Sequence, residues 1–304
     1  MARNLCFVPA FKTCTEKDLE LLQNFIDKSK KLAVITGAGI STESGLPDYR
    51  SKDVGLYTRS GYRPMNYTEF LRHYSSRQRY WARSFLGWNY VHNRQPNISH
   101  LALTDWQRSG KLGTIVTQNV DRLHHKAGTE SVLELHGNLY NVKCIQCDYR
   151  ISRILFQRIL AEMNDDLLND ESIRTRLEEG RNVYNRTIRP DGDIDIIDDF
   201  VYSFRFPMCR RCDGILKPDI VFFGDNVQQQ LVEQIHQQLN ECDSLIVFGS
   251  SLKVFSIFRF ILHAIQCEKP LAIVNIGPTR ADTLQGNILK IDSKISDVIT
   301  KIQI

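Results

Sequence analysis

At 304 residues the chain can bury a large core, with room for one big domain and a smaller one. Its 39 basic and 35 acidic residues leave a formal charge of +4 with no polybasic block, so nothing argues for nucleic acid as a partner. No apolar run approaches the ~18 residues that a membrane-spanning helix needs, so no membrane partner is expected.

The segment from Met1 to Pro9 shows neither a signal peptide nor an Arg/Ser-rich amphipathic presequence. The protein is therefore expected to be cytosolic, or to have lost a targeting segment. The first helix is marked by a capping box, Thr15 with Asp18, and by an apolar face of Leu19, Leu22, Phe25 and Ile26. That face is expected to dock on the sheet beside a buried strand, Leu32–Thr36. Further buried strands are expected at Thr114–Thr117, Val132–Leu135, Ser244–Phe248 and Leu271–Asn275. Helical patterns at Val227–Asn240 and Ser256–Gln266 alternate with them, and a last helix lies near Ser296–Ile302. Apolar strands alternating with helices predict an α/β fold, a Rossmann-like parallel sheet with helices on both faces.

Strand Leu32–Thr36 runs straight into Gly37-Ala38-Gly39. Glycines there let bare N–H groups approach an anion, as in a dinucleotide-binding βα turn. A hydride-transfer fingerprint would carry a third glycine where Thr42 stands. Instead Gly45 is followed by Pro47-Asp48-Tyr49-Arg50, a polar and mobile-looking extension placed to reach over the nicotinamide side of a dinucleotide.

Two segments interrupt the α/β rhythm. From Tyr57 to Trp106 the pattern is helical, without strands. From Tyr140 to Ile215 lies an insertion with an acidic middle and little apparent core, and its part from Gly180 to Phe206, with Arg189-Pro190-Asp191-Gly192, reads as a long ordered loop. This insertion holds Cys144-x-x-Cys147 and Cys209-x-x-Cys212, separated by 61 residues. Two such knuckles predict one closed tetrahedral zinc site in a reducing compartment, structural because four thiolates leave no place for water. The rival, a redox dithiol, needs only one pair. Cys6, Cys14, Cys242 and Cys267 read as core filler or N-terminal surface. The expected organisation is a nucleotide-binding domain from residues 1–50, 110–139 and 216–304, a helical insertion at 51–109 and a zinc-binding insertion at 140–215.

Thr117-Gln118-Asn119-Val120-Asp121 stands at the carboxyl end of a strand, where open α/β sheets bind ligands, although a capping turn would use the same residues. His136, at another carboxyl end, has an imidazole suited to taking a proton from a hydroxyl, although taken alone a histidine there is more often a structural residue. The run Lys217 to Asp225 reads by itself as a buried strand.

Thr36 to Arg50 resembles the cofactor loop of the sirtuins, the NAD-consuming protein-lysine deacylases, whose usual form is Gly-Ala-Gly-x-Ser-x-x-Ser-Gly-Ile-Pro-Asp-Phe-Arg. Leu46 and Tyr49 are conservative departures from it. The blocks Thr117 to Gly128, Leu135-His136-Gly137, Lys217 to Asp225, Gly249 to Val254 and Asn275-Ile276-Gly277 are similar too, so the resemblance covers nearly the whole chain. Arg122, where the family carries glycine, and Asp225, where it carries glutamate, depart from the pattern.

The resemblance implies that Gly37, Ala38, Gly39, Ser41, Asp48, Tyr49, Arg50 and Tyr57 bind NAD, together with Gln118, Asn119, Val120 and Asp121 around the nicotinamide and its ribose. Gly249, Ser250, Ser251, Asn275, Ile276, Gly277 and Ile295 would hold the adenosine half. Catalysis would fall to His136, Asn119 and Asp121. Val221, Phe222, Phe223, Gly224, Leu252 and Val254 would clamp the substrate peptide as an added β-strand. In the implied reaction the acyl oxygen of a modified lysine attacks the ribose, nicotinamide leaves, and His136 deprotonates a ribose hydroxyl, giving O-acyl-ADP-ribose. NAD is then a consumed co-substrate and zinc (Cys144, Cys147, Cys209, Cys212) the one structural metal.

Local features, among them Tyr80-Trp81-Ala82-Arg83 and Asn275 to Arg280, are similar to the class II branch and its sirtuin-four subgroup. That implies a mitochondrial matrix location, weak deacetylation, removal of lipoyl, biotinyl or hydroxymethylglutaryl groups, and mono-ADP-ribosyl transfer. The implied partners are acyl-lysine segments of mitochondrial metabolic enzymes, such as lipoylated dehydrogenase-complex subunits and glutamate dehydrogenase. Tyr80 and Arg83 have the form that reads acidic acyl groups, a guanidinium pairing with a carboxylate; a solvated helix face is the plain alternative. A primary mono-ADP-ribosyltransferase and a catalytically quiet NAD-sensing scaffold also stay open.

Overall fold

The computed structural model describes residues 7–59, 64–171, 175, 189–190 and 198–304. These fall into two compact units, one from the described parts of 64–93 and 137–226, the other from 7–59, 94–136 and 227–304. The strands among the described residues are β1 (Leu32–Thr36), β2 (Leu112–Thr117), β3 (Val132–Glu134), β4 (Gly137–Cys144), β5 (Arg150–Ser152), β6 (Leu216–Ile220), β7 (Ser244–Phe248), β8 (Leu271–Val274) and β9 (Ile288–Ile291).

The larger unit is built on a six-stranded parallel sheet of order β3-β2-β1-β7-β8-β9. Successive residues of β1 face opposite sides. Leu32 and Val34 join a core with Leu22, Ile26, Ile115, Ile246 and Val298, while Ala33 and Ile35 join one with Val116, Ile235, Val247, Ile257 and Ile273. Both faces are covered, which is why this strand reads as an unbroken apolar run. The strand order reverses between β1 and β7. There the register sets Thr36 beside Thr117 and beside Phe248, so three loops leave the carboxyl edge level with one another.

Local chemistry sets the flanking helices. Helix Glu16–Lys28 starts at the expected capping box, with the Asp18 N–H donating to Thr15 Oγ1 at 3.2 Å and the Thr15 N–H to Asp18 Oδ2 at 3.1 Å. Helices Gln229–Asn240 and Phe255–Gln266 fall where the apolar periodicity puts them. Strand β9 escapes a sequence reading because its edge position leaves Lys290 exposed and breaks the apolar run. Cys14 and Cys242 are buried and Cys6 lies outside the described residues, whereas Cys267 is exposed beside His263, neither core nor N-terminal surface.

The smaller unit carries an antiparallel sheet of order β5-β4-β6 and the helices Tyr67–Arg72, Tyr74–His92, Arg153–Met163, Asp165–Asn169 and Asp198–Ser203. Two expectations change here. Part of the segment expected to be a loop from Gly180 to Phe206 is helix Asp198–Ser203, because Phe200, Val201 and Phe204 bury one apolar face; 180–188 and 191–197 lie outside the described residues. The insertion also has a core of its own: Phe156, Leu160, Phe200 and Phe204 are fully buried with Trp81. The Arg153 guanidinium lies 4.9 Å from the Trp88 ring and donates to the Ser84 carbonyl at 3.1 Å. Aromatic residues scattered over distant segments of sequence hid that core.

Candidate active site

The loop after β1 is a 3-10 turn, Ala38–Ser44, closed by Gly45 in the left-handed region at φ 83°. It lies backbone to backbone on the loop after β7, with the Gly39 N–H donating to the Gly249 carbonyl at 2.9 Å. A Cβ on Gly37 would stand 2.7 Å from the Gly249 oxygen, and one on Gly39 2.8 Å from Gly249 Cα. Gly249, at φ +62°, would push its own Cβ to 2.6 Å from the Ile40 nitrogen. The glycines are thus required for this interlock as well as for an anion's approach. Ile295 is buried, with Cδ1 2.9 Å from that same Gly249 Cβ position.

The extension expected to be mobile is pinned. Asp48, buried, accepts from the N–H groups of Arg50 at 2.9 Å and Ser51 at 2.8 Å, and the Tyr57 N–H donates to the Tyr49 carbonyl at 2.9 Å. The Tyr49 and Tyr57 rings lie 5.7 Å apart, with the Arg50 guanidinium 5.2 Å from the Tyr57 ring. Asp48 therefore works as an Asx-type clamp on the turn.

The loop after β2 supplies the polar floor. Asn119 Nδ2 donates to the Gly37 carbonyl at 3.0 Å and to Ser41 Oγ at 3.1 Å, and Ser41 donates to Asp121 Oδ2 at 2.7 Å. Asp121 Oδ1 accepts the Leu123 N–H at 2.9 Å. Burial pushes the Asp121 carboxyl pKa upward, opposed by those two hydrogen bonds and by the Lys126 charge. Each carboxylate oxygen keeps a further lone pair for a ligand amide. Gln118 Nε2 donates to Ser250 Oγ at 2.8 Å, so this amide ties the β2 loop to the β7 loop. Arg122 takes a left-handed φ of 61°, the conformation a glycine adopts freely, and pairs with Glu134 at 3.3 Å.

His136 sits just past β3. Nδ1 lies 3.1 Å from the Gln118 carbonyl oxygen and Nε2 2.8 Å from Ser256 Oγ. Burial pushes its pKa down to about 4, with the Gln118 carbonyl pulling the other way, so the ring is neutral near pH 7. A carbonyl oxygen only accepts, so Nδ1 bears the proton and Nε2 the lone pair. The arrangement supplies a neutral base with a fixed tautomer. His124 is buried with Nε2 3.0 Å from Thr36 Oγ1. Thr36 donates to Thr117 Oγ1 at 2.9 Å, which also receives the Asn119 N–H at 3.1 Å. Sequence reasoning passed over Ser256, which belongs to no spaced motif, and gave Thr36 no role beyond opening the Gly37 loop.

Among the residues expected to hold the adenosine half, Asn275 leaves β8 buried, its Nδ2 donating to the Ile276 carbonyl at 2.9 Å. Gly277, at φ +81°, has nothing within 4 Å of a Cβ position, and its N–H donates to Asp292 at 2.8 Å. Ser251 accepts the Arg280 N–H at 2.9 Å through its carbonyl. Loops meeting at the strand-order reversal and carrying fixed dipoles stand where open α/β sheets bind a dinucleotide. Of the residues expected to clamp a peptide, Leu252 is buried in the core of this unit and Val254 caps helix Phe255–Gln266.

The rest of that set lies in the smaller unit. Phe222 is buried against Phe70 and Tyr80, at ring distances of 5.0 and 5.2 Å, while Phe223 is exposed and its carbonyl accepts the Tyr67 N–H at 2.8 Å. Val221 is half-buried and Gly224 exposed. Lys217 is buried, 3.0 Å from Asp225, and burial lowers its pKa while Asp225 raises it. Tyr80 is buried and Arg83 half-buried, which removes the solvated-face alternative for Tyr80.

In the same unit Cys144, Cys147, Cys209 and Cys212 bring their sulfur atoms within 4.8 Å of one another. The pairs Cys144–Cys212 and Cys147–Cys209 are each 3.6 Å apart. Sulfurs at ~2.3 Å from a tetrahedral zinc are about 3.8 Å apart, so the cluster fits one zinc. A Cβ on Gly214 would come within 2.8 Å of Cys144 Sγ, so a glycine keeps the knuckle closed.

Residues 37–256 match the model of the Sir2 family. The chain is 46% identical over 296 residues to the NAD-dependent protein deacylase Sirt4 of Drosophila melanogaster, covering 97% of this chain and 90% of that one. It is 45% identical over 293 residues to the NAD-dependent protein lipoamidase sirtuin-4, mitochondrial, of Homo sapiens, covering 96% and 88%. A solved Sir2 homologue in complex with ADP-ribose superposes with a TM-score of 0.67 at 26% identity, over 92% of this chain and 93% of that one. Family model, full-length relatives and fold agree: this chain belongs to the Sir2 family.

Proposed function

We propose that this chain, an NAD-dependent protein deacylase, removes large or acidic acyl groups from lysines of mitochondrial proteins, with His136 as the general base. The observation that carries the reading is the His136 tautomer, a neutral ring with its lone pair on Nε2 and its proton held by Gln118. Bound NAD supplies an electrophilic ribosyl carbon with nicotinamide as its leaving group. The chain's residues bind, orient and move protons. The Gly37–Ser41 turn lets the phosphates come close to its backbone, although the Gly37 and Gly39 N–H groups already donate to the Phe248 and Gly249 carbonyls, and Asp121 takes the nicotinamide amide N–H on a remaining lone pair. Asn119 holds the Gly37 and Asp121 loops together, and Gly249 to Ser251 with Asn275 to Gly277 cradle the adenosine half. Val221 to Gly224 pair with the substrate main chain, while Tyr80 and Arg83 read the acyl end.

The mitochondrial location and the lipoyl preference are supported by the name of the human relative. Lipoylated dehydrogenase-complex subunits are then the substrate class, and the same residues would serve ADP-ribosyl transfer to a protein nucleophile. The test is nicotinamide release from NAD with lipoyl-, glutaryl- and acetyl-lysine peptides. His136→Ala is expected to slow it by roughly 10²–10⁴-fold. Intact NAD with every peptide, or equal rates without the imidazole, would sink the reading. Arg83→Ala is expected to abolish any preference for glutaryl over plain aliphatic groups; an unchanged preference removes Arg83 from the acyl pocket.

A further inference from the structure

Both ring nitrogens of His136 are held by the protein, and the second holder has no part in the reaction as described so far. Nε2 of the neutral ring has one lone pair, and Ser256 Oγ, 2.8 Å away, must therefore donate its proton to it. Ser256 is the second residue of helix Phe255–Gln266, a place where a serine commonly spends its hydroxyl on the helix end. Here the cap is Val254, without a side-chain hydrogen bond, and the hydroxyl points at the imidazole instead. The first turn of this helix also presents the positive end of its dipole, which opposes a charged ring. A sugar hydroxyl that gives its proton to Nε2 has to occupy the lone pair that Ser256 now fills.

We propose that Ser256 is a positioning residue for acyl transfer: its hydroxyl holds the His136 lone pair in register at rest and yields that place to the sugar hydroxyl. The step balances without a co-reactant. The O–H bond of the sugar breaks, an N–H bond forms at Nε2, the oxygen keeps the electron pair, and the Nδ1 proton stays on Nδ1, hydrogen-bonded to the Gln118 carbonyl. Ser256 then turns from donor to acceptor. The groups facing the ring are the Gln118 carbonyl from the β2 loop and the Ser256 hydroxyl from the helix.

The inference rests on His136 being the base, so the test reads the bond apart from the activity. Zinc-loaded protein with ¹⁵N-labelled histidine should show His136 as the Nδ1–H tautomer at neutral pH. In Ser256→Ala the Nε2 resonance should move toward that of a free lone pair, and carbethoxylation of His136 should speed up several-fold. Ser256→Thr should restore both. Donation to the neutral ring favours the neutral form, so its loss should move the acid limb of kcat/KM upward by about half a pH unit to one unit. An unchanged Nε2 resonance and carbethoxylation rate in Ser256→Ala would overturn the proposal, as would a changed resonance with an unmoved acid limb. Should His136→Ala keep full activity, the base assignment fails by itself, and the nitrogen resonance still tells whether Ser256 holds the ring.

Discussion

His100 offers a test of how burial governs acid stability. Its ring is fully buried, Nδ1 accepts the Asn97 N–H at 3.3 Å, and burial pushes its pKa down to about 3. As pH falls below the ordinary histidine value of ~6.5, the unfolded chain takes up a proton that the folded chain refuses. Stability contributed by this residue is therefore full at neutral pH and is lost on acidification. Linkage gives a loss of about 2 kcal/mol between pH 7 and 5, large against a total of roughly 5–15 kcal/mol. His100→Gln removes the titration and keeps the fold, because His100 is the third residue of a capping box begun by Asn97, where glutamine serves equally. Urea unfolding followed by circular dichroism at both pH values, with zinc present, gives the two differences. The variant's acid loss should be smaller than the parent's by about that 2 kcal/mol, since carboxylates and zinc ligands titrate alike in both. Equal losses in the two proteins would refute the burial argument.

Three further outcomes follow from the geometry. A strong chelator should release one zinc per chain and collapse the near-ultraviolet circular dichroism of Trp81 and Trp88, which share a unit with the four cysteines; a metal-free protein with an unchanged spectrum would count against a structural zinc. Asp225→Asn takes the carboxylate partner from the buried Lys217 ammonium, which keeps the Ile220 carbonyl, at a cost of up to about 3–5 kcal/mol, and loosening the Phe222–Gly224 turn should raise KM for acyl peptide roughly tenfold with NAD affinity unchanged; an unaltered KM would free that turn of any dependence on the ion pair. Gly249→Ala forces a Cβ to 2.6 Å from the Ile40 nitrogen at φ +62°, so calorimetry should find NAD affinity down by at least about tenfold, and wild-type affinity would show that the interlock of loops is not needed.

The sheet was legible because its central strands are buried on both faces and read as apolar runs of strand length, with β1 and β7 placed to the residue. The zinc cluster was legible because ligand spacing is a local property. Part of what stayed hidden depends on residues far apart in the chain. The aromatic core under helix Asp198–Ser203 joins Phe156 to Phe204 with an acidic stretch between them, and no window of sequence contains both. The mobile-looking extension at Pro47 to Arg50 is a hydrogen-bonded turn in which Asp48 accepts from two N–H groups two and three residues on, a turn that its polar composition disguises.

The glycines show how a pattern can be right for a reason that is incomplete. Gly37-x-Gly39 was readable as an anion loop, yet the structure uses both residues to seat one loop on another, and Gly249 completes the fit from the neighbouring strand. That contact decides what the site can do. With the β1 and β7 loops locked, the Gln118 amide reaches Ser250, its carbonyl reaches His136, and Asn119 bridges Gly37 to Ser41. Dipoles fixed in this way need no reorganisation when a polar ligand arrives, so they meet it at a lower cost than mobile water would. The interlock and the tautomer of His136 are therefore one arrangement: loosening the glycine contact should disturb the base through Gln118, well before any ligand is present.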